Sequence, residues 1–276
     1  WREWNGEGGE AEWAGTLERL IREFPDSSLA PEAAVMRGQS FEKSGRPEAA
    51  LAMYRLVIKR YGESSHVPLA MLSAARIHDQ LRQDSDAVAL LRRLLTEYPD
   101  FDQIGAVLYQ LAWALVDSSR DKEADAVFER IHAECRDTEY WVDATYRLAE
   151  RAARSEDFER ADQFASQITE TQCEARMMSH ALYLRGQLAA SRGKWADVDR
   201  WMTRVAHDFP ESTLRIQAEY WLAEANYRLR NYAESGAIFD RLEQQTDGRT
   251  DTWLGMVTLR RAQVMAHAKR WQDAYD

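Results

Sequence analysis

The sequence is short of the residues that make turns: six prolines and thirteen glycines in 276 residues. An all-β chain needs frequent turns and uses those two residue types for them, so their scarcity points to helices. Cysteine is rarer still. Cys135 and Cys173 are too few for a disulfide framework. No apolar run approaches the length of a bilayer span, so the segment carries no membrane-inserting element of that kind. The first residue is Trp1, and neither a signal peptide nor a lipidation motif follows it. Basic charge is also in deficit. The net charge is −10 and no basic stripe offsets it, which argues against nucleic acid as the partner because an acidic surface repels phosphate.

The patterns of catalysis are missing as well. The histidines are His66, His78, His132, His180, His207 and His267, and none lies in HExxH. His132 and Cys135 form HxxC on one predicted helix, which falls short of a zinc ligand set. GxGxxG, GxxxxGK[ST] and GxSxG do not occur. Acidic pairs such as Asp84/Asp86 and Glu123/Asp125 read as solvated faces. The reading is therefore of a chain that is not an enzyme and takes no cofactor and no metal, since function has to be argued from a site.

What is present is the composition of a folded protein, 45% hydrophobic and 30% charged, and a repeat. EFPDSS at residues 23–28 returns as DFPEST at 208–213, and YPDF places Pro99 between them. Pro25, Pro99 and Pro210 are separated by multiples of 37, and Gly62 of YGESS falls in the same phase. Packing residues keep that phase. One row reads Gly38, Ala75, Ala112, Ala149, Gly186, Ala223, and a second reads Ala50, Ala87, Ala124, Ala161, Val198, Ser235. Both are small throughout. A third row, Tyr54, Leu91, Phe128, Ala165, Met202, Phe239, is mostly large, and a fourth, Val57, Leu94, Ile131, Ile168, Val205, Leu242, is aliphatic. Within a unit the apolar residues recur at three and four, as in Leu108, Leu111, Ala112 and Leu115, the stripe of an amphipathic helix. Each unit holds two stripes. The small rows mark where the two helices cross, and stacked neighbours bury what one pair cannot.

These rows resemble the tetratricopeptide repeat (TPR) family over essentially the whole chain. Gly38, Phe41, Ala50 and Tyr54 in residues 31–62, and Ala112, Leu115, Ala124 and Phe128 in residues 105–141, fall on the family pattern. Arg37, His78, Glu219 and Asn226 depart from it, standing where apolar residues are expected. The resemblance implies an all-α, right-handed α-solenoid of antiparallel helix pairs. Its units would be 1–30 (partial), 31–67, 68–104, 105–141, 142–178, 179–215, 216–254 and 255–276 (partial). The 37-residue unit with its P-[DE]-[ST] link is similar to bacterial cell-envelope members, of the barrel-assembly lipoprotein and Tol–Pal partner type. That likeness implies a periplasmic or envelope setting, with the cytoplasm as the alternative. Ser27 or Ser28 is expected to cap the following helix, with Pro31 in its first turn. The phase puts Gly8 in a turn, Trp1–Asn5 at the tail of a helix, a two-residue insertion near QTDGRTDTW, and both ends inside the array. The chain is therefore expected to be a fragment of a longer protein. Cys135 and Cys173, 38 residues apart, are expected at the ends of adjacent second helices, with a bridge as a minor alternative.

In the family the first helix of each pair lines a concave binding face. The resemblance therefore implies a protein-binding set of Tyr109, Trp113, Tyr146, Arg147, Glu150, Arg154, Tyr183, Tyr220, Glu224 and Tyr227, edged also by Arg228. Tyrosine and tryptophan give large contact area with few torsions, which suits an extended or helical peptide. Tyrosine at this position also packs against the neighbouring helix, and both readings stay open. The family's Lys/Asn carboxylate clamp has no counterpart here. The leading reading is a non-catalytic scaffold that binds a peptide or protein segment. The alternatives are an oligomerisation array joined through Trp4, Trp13, Trp253 and Trp271, or a regulatory segment of a larger enzyme or sensor.

Overall fold

The structure, a computed structural model, describes residues 7–244 and 251–267, with side-chain surroundings from 13–244 and 255–267. All regular structure among the described residues is helical, in fourteen helices. The chain divides into two compact units, Trp1–Tyr140 and Trp141–Asp276. The first contains α1 (Glu7–Glu23), α2 (Ala30–Lys43), α3 (Pro47–Arg60), α4 (Val67–Gln80), α5 (Asp84–Glu97), α6 (Ile104–Asp117) and α7 (Asp121–Glu134). The second contains α8 (Tyr140–Arg154) from Trp141 on, α9 (Phe158–Gln167), α10 (Ala175–Ser191), α11 (Trp195–Asp208), α12 (Arg215–Arg228), α13 (Tyr232–Gln244) and α14 (Asp251–His267). In each unit, helices pack on their chain neighbours.

The period of 37 is built from local chemistry. Helices α3, α5, α7, α9, α11 and α13 begin at successive intervals of 37 residues. Each is entered through a three-residue turn whose middle residue is left-handed: Gly45, Arg82, Ser119, Glu156, Gly193 and Arg230, with φ between 58° and 68°. The preceding helix closes there in a Schellman motif. Gly45 N–H donates to the Glu42 carbonyl at 3.0 Å and Arg46 N–H to the Phe41 carbonyl at 2.8 Å, and the same two bonds recur at the other five turns. Only two of the six residues are glycine, so composition hides this row.

The link back to the next pair is also built from its own residues. Ser27 does not cap α2, whose N-cap is Leu29 without a side-chain bond. The Ser27 hydroxyl instead accepts the Leu29 N–H at 3.3 Å, and Ser64 and Ser212 repeat this on His66 and Leu214. Standing two residues before the N-cap, Ser27 reaches that residue's own amide and tightens the link. Pro31 lies in the first turn of α2, where a missing N–H costs nothing.

All four packing rows are buried. The crossing is visible at Gly38. A Cβ there would stand 2.6 Å from Tyr54 Cε1 on the partner helix, and at Gly186 it would collide with Met202. Where the second small row holds a serine, Ser235 donates to the Ala223 carbonyl at 2.8 Å, joining the two small rows. The polar departures are buried rather than turned outward. Arg37 reaches Glu18 at 2.6 Å, donates to Ser40 at 3.1 Å and lies 3.8 Å over the Phe41 ring. Asn226 donates to Asp199 at 2.9 Å, and Glu219 meets Arg215 at 3.1 Å.

Several expectations are corrected. Gly8 lies inside α1, not in a turn. Ile168 stands beyond the end of α9 in extended backbone, though still buried, because α9 is only ten residues long. Cys173 consequently falls in the link 168–174 rather than at a helix end, and both cysteines are free thiols. Trp13 is half-buried, not exposed. Trp1–Asn5, Trp4, Trp271 and the expected final helix past 267 lie outside the described residues, as do the insertion at 245–250 and the side chain of Trp253.

Candidate protein-binding face

The expected site residues lie on the first helices of the pairs, spaced so that residues four apart share a face. In the first unit Tyr109 and Trp113 are one turn apart on α6, their rings edge-on at 6.2 Å. Tyr109 also lies against Tyr140 at 5.0 Å. Trp113 stands edge-on to Phe128 of α7 at 6.1 Å, so part of the indole packs on its own helix pair. Both remain half-buried. On the first helices α2 and α4, Glu42 accepts the Tyr54 hydroxyl and meets Arg76 at 2.7 Å.

In the second unit Tyr146, Tyr183 and Tyr220 occupy the same repeat position on α8, α10 and α12, and all three are half-buried. Tyr146 packs between two core clusters and meets His180 edge-on at 6.3 Å. Burial, with the Glu150 carboxylate second, pushes its phenol well above the ordinary value, so it stays a neutral donor. Burial also raises the Tyr183 phenol, while hydrogen bonds from Trp221 and Gln187 act the other way. Tyr220 stands edge-on to Phe239 at 5.8 Å. Each of the three side chains thus packs on the protein while staying partly exposed.

The charged members divide. Arg147 lies 3.2 Å from Glu150 and 3.9 Å from Asp143 on its own helix. Arg154 is exposed at the end of α8. Glu224 is only 4% exposed, held by Arg228 at 2.8 Å and by Arg260 of α14 at 3.2 Å. Its carboxylate bridges α12 and α14. Arg228 also lies 5.1 Å over the Trp195 ring. Tyr227 packs among Tyr232 and His267, at 5.8 and 5.5 Å.

Three neighbours of the face escaped the repeat pattern: His180, Trp221 and Arg260. The row of Trp221 reads Met36, Ser73, Gln110, Arg147, Leu184, and that of His180 reads Glu32, Leu69, Ala106, Asp143. Neither row keeps one residue type, so periodicity gives no signal there. Among the described residues no group of three or more His, Cys, Asp or Glu is placed to hold a metal ion, and no helix is long and apolar enough to cross a membrane. The arrangement offers aromatic area, phenol hydroxyls and a few cations, which is the equipment of recognition.

Residues 14–65 and 35–100 match the tetratricopeptide repeat family model. No curated protein sequence matches the chain. Among solved structures, the chain is similar to the C-terminal part of a TPR repeat-containing protein from Cytophaga hutchinsonii, at 12% identity and TM-score 0.58, covering 88% of this chain and 99% of that one. It is similar to a tetratricopeptide repeat protein from Parabacteroides merdae, at 12% identity and TM-score 0.56, covering 88% and 89%. It is also similar to PilW, a type IV pilus biogenesis factor, at 15% identity and TM-score 0.52, covering 82% and 97%. At these identities the likeness is one of fold. The chain has the all-α, helix-pair fold of TPR solenoid proteins, and residues 14–100 carry the family's sequence pattern.

Proposed function

We propose that this chain is a non-catalytic scaffold that binds a peptide or protein segment against the aromatic face of its first helices. The observation that carries the reading is the repeated placement of Tyr146, Tyr183 and Tyr220, half-buried at one repeat position on α8, α10 and α12. Each keeps accessible aromatic surface, unlike the fully buried Tyr54 and Phe239. Tyr109 and Trp113 offer the same kind of surface on α6, with Tyr227, Arg147, Glu150 and Arg154 at the edges. The acidic chain favours a protein partner over nucleic acid. An envelope assembly is the setting we infer. It rests on the 37-residue unit with its serine link and agrees with the fold shared with a pilus biogenesis factor.

The test is a pull-down from the source cell's lysate with wild type beside Trp113→Ala/Tyr146→Ala, after circular dichroism has shown equal folding. A partner captured by wild type and lost by the double variant supports the aromatic face. Equal capture moves binding elsewhere on the chain. A second reading, self-association, is favoured by Met256 and Leu259, which are 42% and 59% exposed on α14. Concentration-dependent mass in sedimentation, abolished by Leu259→Glu, would establish it.

A further inference from the structure

His78 breaks a row that otherwise reads Phe41, Leu115, Ala152, Ala189 and Asn226. It is buried, only 6% exposed on α4, with Nδ1 2.7 Å from Gln83 Oε1. An amide oxygen accepts, so in this contact Nδ1 is the donor. The ring contributes to the lining of a cavity of about 310 Å³ on the α3 and α5 side of the first unit. Ile58 and Leu90 give it apolar walls, and Arg55 and Lys59 stand one turn apart on α3. Both cations are exposed and have no ion-pair partner among the described residues. Arg93 also lines the cavity, already bonded to Glu97 at 2.7 Å. Asp86 is the one carboxylate in the lining, 4.0 Å from His78 Nδ1. Arg93 being paired, two unpaired cations face one carboxylate, which leaves the lining net positive on a chain of net charge −10.

We propose that this pocket takes an acidic side chain of a partner protein segment. The carboxylate lies against Arg55 and Lys59, and its methylene stem runs along Ile58 and Leu90. The volume is at the lower end of ligand pockets, about 300–1,000 Å³, which suits one or two side chains and not a nucleotide. Free phosphate shares the anionic chemistry but has nothing to place on the apolar walls. The site lies away from the aromatic face of the first helices and is argued independently of it.

The test follows the His78 ring signal by NMR in the full chain. The signal is assigned by its loss in His78→Gln or, if that variant does not fold, by correlation to the His78 backbone. Three probes are titrated: the acidic peptide Ac-ELELEL-NH2, its neutral counterpart Ac-QLQLQL-NH2, and inorganic phosphate. The expected result is a saturable shift with the acidic peptide alone, weakened at least about tenfold in Arg55→Gln/Lys59→Gln, whose exposed positions leave the fold intact. The proposal is overturned by no shift, by an equal shift with the neutral peptide or with phosphate, or by undiminished binding in the double variant.

Discussion

Gly38→Ala sets two effects of known size against each other. Replacing glycine by alanine inside a helix favours folding by about 1 kcal/mol, because the glycine chain loses more freedom on folding. At Gly38 the new methyl has no room. It would stand 2.6, 2.8 and 3.1 Å from Cε1, Cζ and Cδ1 of Tyr54, and Tyr54 is fully buried with its hydroxyl held by Glu42. A pinned ring cannot step aside as a flexible chain end can. The overpacking cost therefore falls in the upper part of the usual range, roughly 2–3 kcal/mol. The net expectation is a destabilisation of about 1–2 kcal/mol, a fall in Tm on the order of 5 °C. Gly15→Ala in α1 is the control, because nothing lies within 4 Å of its Cβ. It keeps the helix gain and rises in stability by up to about 1 kcal/mol. Thermal and urea melts followed by circular dichroism measure both. Repeating Gly38→Ala in a Tyr54→Leu background isolates the contact, and most of the loss disappears there. A Gly38→Ala chain as stable as wild type would refute the crossing at this position.

Ala112→Leu adds three carbons to a fully buried position on α6 and costs on the order of 1–3 kcal/mol in the same melts. Ser119→Gly relieves a left-handed residue at φ 58° and raises stability by roughly 1 kcal/mol, whereas Gly193→Ala, at φ 68°, lowers it by a similar amount. Glu123 accepts from Arg120 at 2.7 and 2.9 Å and from Arg92, and these bonds hold its carboxyl at about 2 against an ordinary 4.5. Its folded pKa is depressed, so its contribution is present above the unfolded value and is lost as pH falls through about 2. Carboxyl-carbon NMR of Arg92→Gln is expected to show this pKa moving up. An unchanged pKa would mean that Arg92 does not stabilise the Glu123 carboxylate.

Much of the fold was legible because a repeat multiplies weak signals. No single small residue marks a helix crossing, but Gly38, Ala75, Ala112, Ala149, Gly186 and Ala223 in one phase do, and all are buried. What escaped was held by backbone geometry or by single residues. The left-handed row runs through Arg82, Ser119, Glu156 and Arg230, whose side chains give no hint of positive φ. The ten-residue α9 ends before Ile168, whose side chain stays in the core while its backbone leaves the helix, so an in-phase apolar residue concealed a broken helix. On the candidate face the aromatic positions followed from the resemblance to the repeat family. The closure of Glu224 by Arg228 and Arg260 could not, because it depends on a residue from the next helix pair.

If the first helices carry the binding face, a partner must touch them. Photo-crosslinking tests this most directly. Benzoylphenylalanine is placed at Tyr146 and at Tyr183, and at the exposed second-helix positions Ala126 and Thr203 as controls. A crosslinked partner is expected from Tyr146 and Tyr183 and none from Ala126 or Thr203. Crosslinks from the controls alone would contradict it.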